Sequence, residues 1–215
     1  MDTINLNKNV ISLSKGEVIS LSKMPAIDIS KGGHGLKRVC VGLGWDPATI
    51  EKKGFFGKVT RVPGPSVDCD AFAMMLNNGR ITNSEDLIYY GHLRHKSGYI
   101  YHTGDNLTGD GDGDDEQIVI DLEHISCDKI VIAVNIYQGR SRGQHFGMLE
   151  NAFIRIVDMQ GNNELCRFTL DNKYSNEVSV IFGELVRTNG EWNFVARGEA
   201  INKNSISDVA QGYGY

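Results

Sequence analysis

Short apolar runs, either alternating with polar residues or nearly continuous, recur along the chain between glycine-bearing polar segments. The clearest alternation runs from Val67 to Leu76. It places Val67, Cys69, Ala71, Ala73 and Met75 on one face and Asp68, Asp70, Phe72, Met74 and Leu76 on the other, the period of two that marks a strand. Lys129 to Asn135 is instead almost unbroken apolar sequence, as expected of a central strand covered on both faces. Further strands are expected at Arg38 to Gly44, Gln117 to Leu122, Lys129 to Tyr137, Phe153 to Asp158, Leu165 to Leu170, Val178 to Leu185 and Glu191 to Val195. A doubled S-L-S-K segment, Val10 to Lys15 and Ile19 to Lys23, reads as two more with a turn between them. Only Ser205 to Gln211 carries a helical signal, with Ser205 as its cap. Many short strands punctuated by 25 glycines predict an all-β fold, a β-sandwich of two mainly antiparallel sheets with one or two short helices.

Composition narrows this picture without changing it. A chain of 215 residues with 40% hydrophobic content and a net charge of −5 can bury a sizeable core as one domain spanning 1–215. Its modest acidity and lack of clustered lysine and arginine argue against nucleic acid as a partner. No apolar run approaches the length of a membrane span, and Met1 to Asn9 lacks the basic and apolar regions of a signal peptide, so a cytoplasmic location is expected. Cys40, Cys69, Cys127 and Cys166 are widely spaced within or beside apolar stretches, which reads as buried reduced thiols. His124 lies three residues before Cys127, but no second such pair completes a zinc set. Two basic segments read as loops. One is an insertion at 47–65 with Lys52, Lys53, Lys58 and Arg61 around Gly54-Phe-Phe-Gly57, and the other is Gln138 to His145.

The chemistry concentrates between Asp105 and Glu116. That segment reads D-N-L-T-G-D-G-D-G-D-D-E, six carboxylates and three glycines without a lysine or arginine. Like charges so close together repel unless a cation sits among them or water solvates them. The run leads directly into the apolar stretch Gln117 to Leu122, so it is anchored at the edge of a folded element. A hard cation suits it: calcium takes roughly 6–8 oxygen ligands from carboxylates, carbonyls and waters. The spacing is not that of an EF-hand. With Asp110 as the first position, aspartate (Asp115) stands where the loop needs glycine and aspartate (Asp121) where it needs glutamate. The loop therefore needs ligands from elsewhere, and Asp68 and Asp70, about 7 Å apart on one side of a strand, are the candidates. The alternative is a pair of exposed acids at a strand start beside a solvated loop.

His102-Thr-Gly-Asp-Asn-Leu-Thr-Gly-Asp-Gly-Asp-Gly-Asp-Asp-Glu116, Val41-Gly-Leu-Gly-Trp-Asp46, Asp68-Cys-Asp-Ala71, Phe146-Gly147 and Asn151-Ala-Phe-Ile-Arg155 together resemble the TerD family of tellurite-resistance and stress proteins. The doubled S-L-S-K, Phe182-Gly-Glu-Leu185 and Glu191-Trp-Asn-Phe194 fit the same pattern. The resemblance implies a calcium-binding β-sandwich without known catalysis, associated with tellurite and chemical stress resistance. It carries Asp68, Asp70, Asp105, Asn106, Asp110, Asp112, Asp114, Asp115 and Glu116 over as calcium ligands, and adds Asp46 and Asn151 as residues of either ligation or packing. The insertion at 47–65 and the aspartates at Asp110 and Asp112, where the family commonly has glutamate, depart from the short family form.

Three function classes follow. The first is a non-enzymatic calcium-binding stress protein holding about two ions and docking other stress and tellurite-resistance proteins, with any membrane association peripheral and through those partners. The second is a metal-dependent phosphohydrolase using His92, His95 or His102 with the acidic loop, for which no positioned base or phosphate cradle is legible. The third is a small-ligand or nucleotide module in which a bound cation bridges to the ligand.

Overall fold

The computed structural model describes residues 19–20, 27–29, 36–47, 49–53, 59–109, 113–170 and 174–215. Its strands are β1 (Ile19–Ser20), β2 (Ile27–Ile29), β3 (Arg38–Pro47), β4 (Thr49–Lys53), β5 (Val59–Pro63), β6 (Cys69–Leu76), β7 (Leu87–Ile88), β8 (Ile100–His102), β9 (Glu116–Asp121), β10 (Lys129–Ile136), β11 (Leu149–Asp158), β12 (Asn163–Thr169), β13 (Ser179–Thr188) and β14 (Glu191–Ala200). Two short helices accompany them, α1 (Gly139–Arg142) and α2 (Ile206–Gln211). Two six-stranded sheets form, in the orders β1-β12-β11-β3-β9-β8 and β2-β14-β13-β10-β6-β7, with β4-β5 as a separate two-stranded hairpin. The pairings are antiparallel except β1 with β12.

The alternation in β6 explains its position. Cys69, Ala71, Ala73 and Met75 enter the core between the sheets with Val39, Val41, Leu43, Ile118, Ile154 and Ile156 of the facing sheet. The opposite side of β6, with Phe72, Met74 and Leu76, joins Val131 and Ala133 of β10 in a second cluster under Ile206, Val209 and Ala210 of α2. Both strands are thus buried on two faces, which is why β10 reads as continuous apolar sequence. Phe168 of β12 meets Phe182 of β13 edge-on at 5.2 Å, tying the two sheets through an aromatic contact. Ser205 caps α2 by accepting the Asp208 N–H at 3.0 Å, as its sequence position suggests.

Several elements differ from the sequence expectation. The short edge strands β2, β7 and β8 carry too few residues to show a period, and the 47–65 insertion is not a simple loop. Its residues 49–53 and 59–63 pair as a hairpin, while the Gly54–Lys58 tip lies outside the described residues. Ile50 and Val59 are 42% and 46% exposed, so among its described side chains the hairpin has no buried apolar face to leave a period, and backbone pairing holds it. Of the doubled opening, Val10 to Lys15 lies outside the described residues and only Ile19–Ser20 of the second copy is described as strand, pairing with Cys166 and Arg167. Among the described residues no helix is long and apolar enough to cross a membrane.

Register fixes where the acids go. Asp70 pairs with Asn135 and Cys69 with Ile136 at the end of the β6–β10 ladder. Asp70 therefore stands at the rim of its sheet, on the face that carries Phe72 and Met74 farther along.

Candidate metal centre

Asp68 precedes β6, Asp70 lies within it, and Asp105 sits in the connection from β8 to β9. One carboxylate oxygen from each of the three lies within 4.8 Å of the others. Asp70 is only 2% exposed, and Asp68 Oδ1 and Asp70 Oδ2 are buried without a hydrogen-bond partner among the described residues. Burial, reinforced by the charges of Glu116, Asp68 and Asp105, pushes the Asp70 carboxyl up to about 9. Asp68 is pushed up to about 6 by burial and by Asp105 and Glu116, against a lowering pull from Arg142. Buried carboxylates of this kind either take up protons or hold a cation.

Glu116, the first residue of β9, is fully buried and directly linked to its neighbours. It accepts the Ala71 N–H at 2.8 Å, the His102 Nε2–H at 3.3 Å and the Asn106 N–H at 3.3 Å. The His102 tautomer follows from its other nitrogen, because the Gly104 N–H donates to Nδ1 at 3.1 Å. Ala71 belongs to one sheet and Glu116 to the other, so this carboxylate fastens the sandwich at the rim where the aspartates gather.

The remaining acids of the loop have separate engagements. Asn106 Oδ1 accepts the Thr108 and Gly109 N–H groups at 3.1 and 3.0 Å, and its Nδ2 donates to Asp115 at 3.1 Å. Asp115 in turn accepts the Trp45 N–H at 2.9 Å. These contacts shape the loop. Gly109 is needed there, since its φ is +71° and a Cβ would meet the Trp45 carbonyl at 2.4 Å. Asp114 is held by Arg155, whose Nε and Nη2 donate at 2.8 and 3.0 Å, and by Gln117 Nε2 at 3.0 Å. Asp46 accepts from Asn151 Nδ2 at 2.7 Å, with Asn151 at φ 53° in an irregularity of β11. The structure thus gathers Asp68, Asp70 and Asp105 with Glu116 beside them, while Asp114, Asp46 and Asn151 are drawn to protein partners. Asp110 and Asp112 lie outside the described residues. Sequence reasoning did not find Arg155 as the partner of Asp114 or His102 as the donor that orients Glu116; contacts between distant strands leave no local signal.

The histidines are accounted for elsewhere. His92 Nδ1 meets the Leu87 carbonyl at 2.9 Å and His95 Nδ1 the Ser97 hydroxyl at 2.7 Å, and neither belongs to the carboxylate group.

The geometry suits a calcium-sized ion. Two oxygens on opposite sides of a calcium ion with bonds of about 2.3–2.6 Å stand about 4.6–5.2 Å apart, so three aspartate oxygens all within 4.8 Å of one another can share one such ion. The chemistry of the donor set, hard carboxylate oxygens with two lacking partners, therefore fits the ion the sequence suggested.

Residues 11–213 match the TerD domain. The chain belongs to the TerD domain family. It is 47% identical to Stress response protein SCP2 of Bacillus subtilis (strain 168) over 91% of this chain and 98% of that one. It is 39% identical to Tellurium resistance protein TerD of Serratia marcescens over 90% of this chain and 96% of the relative. Among solved structures, a homologue of telluride resistance protein (TerD) from Streptomyces coelicolor A3(2) aligns with a TM-score of 0.63 at 21% identity, covering 80% of this chain and 95% of that one. The TerD fold of two packed sheets is thereby shared at low identity, and the chain is placed among tellurite-resistance and stress-response proteins.

Proposed function

We propose that this TerD-domain protein is a non-enzymatic calcium-binding member of the stress-response family, acting in the cytoplasm, in which bound ions order the sandwich rim for docking to other stress and tellurite-resistance proteins. The observation that carries the reading is the Asp68–Asp70–Asp105 group with its two buried, unpartnered carboxylate oxygens. A cation there removes the mutual repulsion and supplies the missing partners in one step. The group supports one ion. A second would draw on Asp110 and Asp112 with carbonyls of the glycine loop, giving about two per chain.

Direct reduction of tellurite by thiols is not supported. Burial pushes the Cys40 thiol up to about 11 and those of Cys127 and Cys166 up to about 12, the opposite of a reactive thiolate setting. Calorimetry on chelator-treated protein tests the calcium reading. Calcium is expected to bind and Asp70→Asn to abolish binding at this group, with magnesium much weaker; no heat, or equal affinity for magnesium, would falsify it. Phosphate release assayed with calcium, magnesium or manganese tests the phosphohydrolase reading, and its absence is expected. Pull-downs from stressed cells with wild type and Asp68→Asn/Asp70→Asn test docking, which fails if the partner set is identical with and without calcium.

A further inference from the structure

On the outer face of the second sheet, where β6 and β10 run beneath the start of α2, a cleft of about 340 Å³ lies beside the aspartate group. Asp70 belongs to both, as a member of the carboxylate group and as part of the cleft wall. Four tyrosines form the aromatic part of the lining, Tyr215 and a group in which Tyr90 stands edge-on to Tyr89 at 5.1 Å and to Tyr137 at 6.0 Å. The polar part is amide and hydroxyl: Asn135, Gln138, Asn204, Ser205 and Ser207. A cleft of this size, walled by aromatic rings with a few convergent polar groups, is what small-molecule sites look like.

The lining selects among ligand classes. Asp70 is its one charged residue and no lysine or arginine contributes, so it lacks the basic groups that grip phosphate or carboxylate. A bulky organic cation is also a poor match. With one oxygen from each aspartate within 4.8 Å of the others, a small ion can engage all three at once, which leaves no free carboxylate for an ammonium group to pair with. Amides, hydroxyls and ring faces suit a neutral ligand with many hydroxyls. The ion provides the anchor, because Asp105 is exposed and calcium completes its shell with exchangeable waters that hydroxyl oxygens can replace.

We infer that this cleft binds a neutral vicinal diol, of a sugar or a nucleoside, whose adjacent hydroxyls coordinate the cation held by Asp68, Asp70 and Asp105 while its apolar face packs against the tyrosines. The inference rests on the calcium reading above and adds the ligand class. Exchange of two ion-bound waters for two hydroxyls involves no proton transfer and no bond breaking in the ligand.

Calorimetry on the full chain tests it, with calcium titrated first and a diol second. The probes are adenosine and methyl α-mannopyranoside, which separate a nucleoside from a sugar, against 2′-deoxyadenosine and the fully O-methylated mannoside. At least one diol is expected to bind the calcium-loaded protein, and chelation or loss of the diol is expected to weaken it by about tenfold or more. Tyr137→Leu is expected to weaken the diol by about tenfold with calcium affinity unchanged. Asn204→Ala, at an exposed lining position, is a second variant outside the apolar packing and is expected to weaken the diol with calcium affinity unchanged. Normal calcium binding with neither diol bound, equal binding of the diol-free controls, or binding of phosphate or choline instead overturns the inference and leaves the calcium reading standing. Absence of calcium binding itself removes the calcium reading, a distinguishable result.

Discussion

Asp70 and Asp114 are two buried carboxylates from the acid-rich rim of the same sandwich, and the fold treats them in opposite ways. The Asp114 side chain, 4% exposed, receives two hydrogen bonds from Arg155, which also reaches Glu164 at 2.9 Å. Glu164 binds Arg167 in turn, at 2.7 and 2.8 Å. The arginines more than offset the effect of burial on Glu164, so its carboxyl lies below its ordinary range, and Asp114 holds the Arg155 guanidinium above its own. Asp70 has no such cation among the described residues, and its carboxyl is pushed up. One set of acids is neutralised from within the chain and the other is open to a cation from outside. Acid content alone does not distinguish a metal site from a structural network; the arginine does.

The largest test of that contrast removes the internal cation. Arg155→Ala leaves Asp114 buried without its cation, with the Gln117 amide still donating to it, and is expected to cost on the order of 3 kcal/mol in urea denaturation. Loss of less than about 1 kcal/mol would mean the network is a solvated surface pair and the contrast is false. Supplying the external cation comes next. Calcium at about 100 times its dissociation constant is expected to add about 2.7 kcal/mol of stability per site, a gain that Asp70→Asn removes and Arg155→Ala does not. Coincident thermal melts with calcium and with chelator would sink it.

Without metal, Asp70→Asn is expected to stabilise the protein by about 1–3 kcal/mol near neutral pH, the reverse of its effect with calcium present. The pH dependence has the matching sign. Burial pushes the native Asp70 carboxyl up to about 9 from its ordinary 3.8, so between those values the native state holds more protons than the unfolded one. Stability of the chelated protein then falls as pH rises through that window. Asp68 adds its own fall between 3.8 and about 6, and a chelated protein whose stability rises over this range would refute the assignment. The smallest effect is expected at Asp46→Ala, where an exposed contact to Asn151 is worth about 0.5–1 kcal/mol, with no change in calcium affinity.

Much of this was legible in the sequence where a period or a cap had a physical cause. β6 showed its two faces because each meets a different apolar cluster, β10 its double burial, and Ser205 its helix start. Asp68, Asp70 and Asp105 were named only within a larger set that also held Asn106, the other loop acids, Asp46 and Asn151, because excess charge needs a counterion wherever it folds but does not say which acids share it. The sequence did not separate Asp114 from them, since its cation arrives from a position 41 residues away. Nor did it reveal that Glu116, the last acid of the run, leaves the loop and enters a strand with its side chain fully buried. The β4–β5 hairpin stayed invisible because none of its described side chains is buried and its backbone records the pairing.

The bond from Ala71 to Glu116 joins positions 45 residues apart. Leu87–Ile88 of β7 pairs only with Ala73 and Met74, so β7 ends before Ala71 and Glu116 takes the place of a missing strand. A single amide proton is therefore a gauge for the whole rim. In hydrogen–deuterium exchange, the Ala71 amide reports the two sheets parting before either one unravels, and a cation taken up by the neighbouring aspartates is expected to raise its protection in calcium relative to chelator.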